Sequence, residues 1–207
     1  MDYRPLGKTG LQVSALGFGC GNVGGLMVRG TPPERESAVA RALELGINYF
    51  DTAPAYGDGQ SERHLGQVLR ALKPDVYVGT KFRLQAADLS DIRGAVARSL
   101  EASLGRLGLE RVDLLQLHNP VGSGGRPGGL ETQRVIGEVL PAVDALRRQG
   151  KVRFVGMTAL GDTPALHQVF DSGGVDTAQV CYNLLNPSAG MELPPGFPAQ
   201  DFGRLLS

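Results

Sequence analysis

Short apolar runs alternate with amphipathic helical segments along most of this chain, and no other feature limits its fold so tightly. The apolar runs fall at residues 13–19, 47–50, 75–79, 112–117, 152–157 and 177–182. A helix is expected between each pair. Thr31 and Glu34 form a capping-box pattern with Pro32 at the first helical position. Ser61 is expected to cap a helix to Leu72, and Ile92, Val96, Leu100, Leu104 and Leu107 keep helical spacing. A further helix reaches Gln149, with Pro141 expected in its first turn. The last helix opens at Thr163-Pro164 and closes at Gly173-Gly174. Each strand–helix step takes about 25 to 40 residues, the length of a crossover joining parallel strands. Ahead of this series, residues 6–11 read as the turn of a hairpin.

Apolar strands without alternation belong to a sheet covered by helices, which leaves a doubly wound open sheet or a (β/α)8 barrel. The polar residues choose between them. Asp51, Lys81, His118 and Thr158 each stand at the C-terminal end of a different run, and Gln179 lies inside a fifth. A closed barrel gathers those ends at one mouth, whereas an open sheet spreads them along an edge. The expected fold class is therefore α/β, a (β/α)8 TIM barrel of which six βα units are present, in a single domain over residues 1–207. A full barrel takes about 250 residues and eight strands. The sequence is thus expected to lack the last two strands, with a partial sequence the most economical reason, ahead of a truncated product or completion by a second copy. Residues 201–207 read as the opening of a helix.

Composition narrows the partners. Lys+Arg and Asp+Glu balance at 21 each and 42% of residues are hydrophobic, which excludes a nucleic-acid or anionic-membrane surface as the main partner. No apolar stretch approaches the roughly 18 residues that span a bilayer, and the N-terminus has no signal-peptide pattern, so a cytoplasmic protein is expected. Cys20 and Cys181 are expected as reduced, buried thiols. Oligomeric state is left open.

Gly19-Cys20-Gly21-Asn22-Val23-Gly24 matches the GxGxxG pattern of dinucleotide-binding loops. That motif needs a helix to begin inside it, and here the capped helix start comes only at Thr31. The segment is expected to be a loop at the barrel mouth. Residues 121–130 are glycine-rich and are also expected to form a loop.

Asp51, Tyr56, Lys81 and His118 are the candidate catalytic residues. Singly, each has an ordinary alternative: a turn former, a half-buried loop aromatic, a lysine reaching solvent, a core imidazole. One barrel mouth would bring all four together. Three segments carry a resemblance to the aldo-keto reductase family: Gly46-Ile47-Asn48-Tyr49-Phe50-Asp51-Thr52-Ala53 with Tyr56, Gly79-Thr80-Lys81, and Asp113-Leu114-Leu115-Gln116-Leu117-His118. Gly150-Lys151-Val152-Arg153-Phe154-Val155-Gly156 adds a fourth. The resemblance implies that Asp51, Tyr56, Lys81 and His118 are the catalytic tetrad of an oxidoreductase. It would move hydride between a nicotinamide cofactor, NADP(H) ahead of NAD(H), and a small carbonyl or alcohol. It places Gln179 and Thr158 at the nicotinamide carboxamide, with Ala159 departing from the family's usual asparagine.

Those roles make chemical sense. A free phenol has a pKa near 10, and an adjacent ammonium favours the phenolate. Asp51 would hold Lys81 charged and aimed, and His118 could donate a hydrogen bond to a carbonyl oxygen. Pro54-Ala55-Tyr56-Gly57 and Gly59-Gln60-Ser61-Glu62 resemble bacterial members that oxidise aldoses or pyridoxal. The rival reading is a non-catalytic remnant that serves as a binding or regulatory subunit. A hydrolytic or metal-dependent barrel is disfavoured, because three histidines and no HExxH cluster offer no ligand set, so no metal site is expected.

Overall fold

The computed structural model describes residues 1–122 and 127–206. Strands β1 (Tyr3–Pro5) and β2 (Gln12–Ser14) form the antiparallel hairpin expected around residues 6–11. Then come β3 (Phe18–Gly19), β4 (Tyr49–Asp51), β5 (Tyr77–Phe82), β6 (Val112–Leu117), β7 (Val152–Thr158) and β8 (Thr177–Gln179). They make one six-stranded sheet in sequence order, every pairing parallel. The sheet curls as the larger part of a (β/α)8 barrel. Each strand pairs only with its sequence neighbours because the helical crossover between them is short and packs straight back on the sheet.

The helices are α1 (Leu26–Arg29), α2 (Pro32–Glu44), α3 (Gln60–Leu72), α4 (Ile92–Leu107), α5 (Thr132–Arg134), α6 (Leu140–Arg148) and α7 (Thr163–Asp171). The core lies between them and the sheet. Val39, Leu65, Leu100, Leu107, Val143 and Leu166 pack from the helices against Phe50, Leu115, Val152 and Val155. The capping box of α2 is present, the Thr31 N–H donating to Glu34 Oε2 at 2.7 Å.

Several expectations need correction. The run at 13–19 is not one strand: its start belongs to the hairpin, and only Phe18 and Gly19 pair in the main sheet. The GxGxxG loop runs directly into α1, a single helical turn, so the first helical residues after the motif come at Leu26, ahead of the capped start at Thr31. Ser61 is not a cap; Gly59 takes that position in a left-handed conformation, and Ser61 turns inward. Pro141 does lie in the first turn of α6, as expected, but α6 continues an earlier helical run. The helical run begins at Thr132, and a π-helical stretch at Val135–Val139 precedes Pro141, with the Leu140 N–H reaching back to Val135 O. That wider turn accommodates a residue that lacks an N–H and crowds the carbonyl four positions earlier. The final strand stops at Gln179 rather than 182, and residues 203–206 form a turn, not a helix. Cys20 is buried as expected, but Cys181 is exposed; both are free thiols. The 121–130 loop falls partly outside the described residues. Among the described residues, no helix is long and apolar enough to cross a membrane.

Candidate active site

Adjacent parallel strands set the geometry. Asp51 ends β4 in register with Gly79 of β5. Side chains alternate along a strand, so Lys81, two residues beyond Gly79, points to the same inner face one step nearer the mouth. Its side chain is 1% exposed. The ammonium has three hydrogens and three acceptors: Asp51 Oδ2 at 2.6 Å, Thr52 O at 3.0 Å and Tyr56 Oη at 3.2 Å.

Tyr56 is brought there by a tight turn. Its N–H donates to Ala53 O at 3.1 Å, and the Gly59 N–H donates to Pro54 O at 2.7 Å. Gly57, Asp58 and Gly59 all have positive φ, between 51° and 78°, a sequence of conformations that glycine supports at low cost. Ser61 locks the loop from below. It donates to Cys20 O at 2.9 Å and accepts from the Thr52 hydroxyl at 2.8 Å, tying α3 to the ends of β3 and β4.

His118 leaves β6 with its N–H on Phe82 O at 2.9 Å. Its ring meets Tyr56 edge-on, centroids 6.5 Å apart. Burial holds the imidazole below its ordinary pKa, aided by the positive charges of Lys81 and Arg83 and opposed by Asp51, so the ring is neutral at neutral pH. Asn119, fully buried, ties this strand end to its neighbour: it accepts from the Leu84 N–H at 2.9 Å and donates to Leu84 O and Gly128 O at 2.8 Å each.

All four sequence-derived catalytic candidates therefore meet at one point. Gln179 joins them, its amide 3.4 Å from Asp51 Oδ2. Thr158 stands at the end of β7, its hydroxyl donating to Leu117 O at 3.1 Å. Gln116 was not singled out from the sequence, yet its Nε2 donates to Asp51 Oδ1 at 3.0 Å. A signal for it existed. It is the one polar residue within Leu114-Leu115-Gln116-Leu117, and it shares His118's strand parity and hence its face.

The residues at the rim fit a nicotinamide carboxamide. Gln179 is exposed and the hydrogen bond from its side-chain amide to Asp51 is long, 3.4 Å, so the amide can turn toward a ligand. Thr158 has committed its hydrogen but keeps oxygen lone pairs that accept from an amide N–H. Among the described residues there is no group of three or more His, Cys, Asp or Glu side chains that could hold a metal ion. A groove at the opposite end of the sheet is lined by Arg70, Tyr77, Asp113 and Arg153 among others, and two of its charged groups pair with each other. Asp113 accepts from Arg153 at 2.7 Å and from the Val78 N–H at 2.9 Å.

Comparison with known proteins gives this geometry a family. The aldo/keto reductase family model matches residues 15–193. L-galactose dehydrogenase of Arabidopsis thaliana is 34% identical, over 98% of this chain and 63% of its own length. D-threo-aldose 1-dehydrogenase of a Pseudomonas species is 30% identical, over 90% and 62%. Among solved structures, the holo form of an aldo-keto reductase from Bacillus halodurans superposes with a TM-score of 0.73 at 26% identity, covering 91% of this chain and 60% of that one. An aldo-keto reductase from Klebsiella pneumoniae in complex with NADPH gives 0.67 at 27%, covering 92% and 62%. The chain thus spans under two thirds of the length of the relatives it matches. With the family model covering most of the sequence, this chain belongs to the aldo/keto reductase family.

Proposed function

We propose that this chain carries the catalytic half-site of a nicotinamide-dependent oxidoreductase, NADP(H) ahead of NAD(H), acting on a sugar or a related small carbonyl or alcohol. In the same reading residues 1–207 are one domain, the larger part of an eight-stranded barrel. The carrying observation is the Lys81 ammonium, which bridges Asp51 Oδ2 at 2.6 Å and Tyr56 Oη at 3.2 Å. The sugar class is supported by the two dehydrogenases named above, and NADP(H) by the NADPH complex of the Klebsiella protein.

When bound, the nicotinamide supplies or takes up the hydride. The residues handle the proton and the charge. In reduction, Tyr56 Oη gives its proton to the substrate oxygen as hydride reaches the carbon, and the ammonium 3.2 Å away offsets the negative charge left on the phenol oxygen. Asp51 keeps that ammonium in place. The neutral His118 imidazole donates a hydrogen bond to the same substrate oxygen and stabilises its developing charge. In oxidation the roles reverse, with the phenolate as base. Gln179 and Thr158 hold the carboxamide.

Tyr56→Phe tests this directly. Turnover falls by about 10²- to 10⁴-fold, the usual worth of a positioned general acid, while NADP(H) affinity measured by fluorescence stays within about twofold. Unchanged turnover would sink the assignment.

A further inference from the structure

The two oxygens of Asp51 are used differently. Oδ2 takes the Lys81 ammonium at 2.6 Å, and Oδ1 takes Gln116 Nε2 at 3.0 Å. Gln116 is 2% exposed and shares the inner face of β6 with Leu114, where an apolar side chain would pack without desolvation cost. It is also given room. A Cβ on Gly156 of the next strand would lie 2.9 Å from Gln116 Cγ and 2.6 Å from Thr177 Oγ1. A buried amide with space reserved for it and its donor aimed at one carboxylate oxygen calls for a reason beyond packing.

A carboxylate free to spin about its Cβ–Cγ bond presents either oxygen, at varying angles, to its partner. A donor fixed on Oδ1 removes that freedom and leaves Oδ2 facing Lys81. It also withdraws charge from the carboxylate, so less negative potential reaches Tyr56. We infer that Gln116 is a positioning residue for proton transfer: it orients Asp51, Asp51 holds Lys81, and Lys81 keeps the Tyr56 hydroxyl aimed into the mouth. This rests on the reading of Tyr56 as the acid and base. The ionisable groups around the Tyr56 hydroxyl are Asp51 from β4, Lys81 from β5 and His118 from β6, with the buried Cys20 thiol beyond β3.

Two substitutions separate orientation from packing. Gln116→Met keeps the length and apolar contacts but has no donor. Gln116→Glu keeps the shape and donates only while its carboxyl is protonated. The Tyr56 phenol is titrated by ultraviolet absorbance, as the difference between each protein and its Tyr56→Phe counterpart, alongside kcat and KM for carbonyl reduction. For Gln116→Met the phenol midpoint moves up by about one pH unit, kcat falls about tenfold, and KM changes less than about twofold. Gln116→Glu is impaired at neutral pH and recovers toward the parent as pH falls and the new carboxyl gains its proton. The inference is overturned if Gln116→Met keeps the parental midpoint and kcat, or if Gln116→Glu lacks the acid recovery, while Tyr56→Phe still abolishes turnover. In that case the tetrad stands without it. Turnover that survives Tyr56→Phe removes both.

Discussion

Neighbouring residues on one strand serve two carboxylates of opposite character. Lys81 points inward to Asp51, and Thr80 points outward to Glu62 in the first turn of α3. Each carboxylate has a cation at 2.6 Å, Lys81 for Asp51 and Arg106 of α4 for Glu62. The Glu62 cluster is closed. Thr80 Oγ1 donates to it at 2.6 Å, Arg106 also reaches Ser103 Oγ at 3.1 Å, and Glu62 itself is fully buried. It knits sheet, α3 and α4 together. The Asp51 cluster is open. Asp51 is 14% exposed, and the chain of contacts runs through Lys81 to a hydroxyl at the mouth. Equal ion-pair distances therefore mean different things: one pair ends on protein and stabilises, and the other ends at a hydroxyl on the mouth, where the proposed function puts the substrate.

The same chemical change on each carboxylate exposes that difference. Asp51→Asn is expected to lower turnover per folded molecule by about 100-fold or more, and it costs stability as well, because the Lys81 ammonium, 1% exposed, loses its counter-charge. Glu62→Gln weakens the hydrogen bonds that Thr80 and the partly exposed Arg106 make to the buried carboxylate, a change that costs about 1.5 to 3 kcal/mol. Kcat per folded molecule should then hold within about twofold. Urea unfolding and steady-state rates on both variants decide it. A Glu62→Gln protein of parental stability, or an Asp51→Asn protein with parental turnover, would erase the distinction.

The helix side can be tested without touching a charge. Gly66 of α3 lies against the Leu107 carbonyl at the end of α4, and a Cβ at 66 would strike that backbone. Since no flexible side chain can give way, Gly66→Ala should destabilise by about 1 to 3 kcal/mol through forced separation of α3 and α4. The Glu62–Arg106 contact spans those helices, so the loss should be smaller in a Glu62→Gln background, where less remains to be broken. Additive losses in the double variant would show that the ion pair and the close helix approach are independent.

How much of this was readable beforehand follows the range of the forces involved. Strand order and the convergence of Asp51, Lys81 and His118 were legible, because strand ends and crossover lengths are local properties and the barrel mouth follows from them. Tyr56 came with the loop that Asp51 begins. The burial of Glu62 was not legible: its partner Arg106 lies 44 residues on and arrives only when α3 and α4 pack. The π turn before Pro141 left no mark either, since it shifts backbone pairing without changing the apolar pattern. Ser61 misled for a related reason. A serine at a helix start matches the capping rule, but the cap fell to Gly59, and the hydroxyl was drawn inward by Thr52 and Cys20.

The smallest expected effect reports on the open cluster from its far side. His118 sits below its ordinary pKa of 6.5, through burial first and then through the Lys81 and Arg83 charges. Folding therefore disfavours the protonated ring. The associated stability is fully present above pH 6.5 and is lost as pH falls through the lower folded value. An NMR titration should place the His118 midpoint below 6.5. In Lys81→Met the midpoint should rise, because a repelling charge has gone and burial alone remains with Arg83 to hold it down. In Arg106→Met it should stay put, since that cation belongs to the closed cluster on the other face of the sheet. A midpoint that ignores Lys81 but follows Arg106 would mean that the two clusters communicate through β5, and that the functional division between its inner and outer faces does not hold.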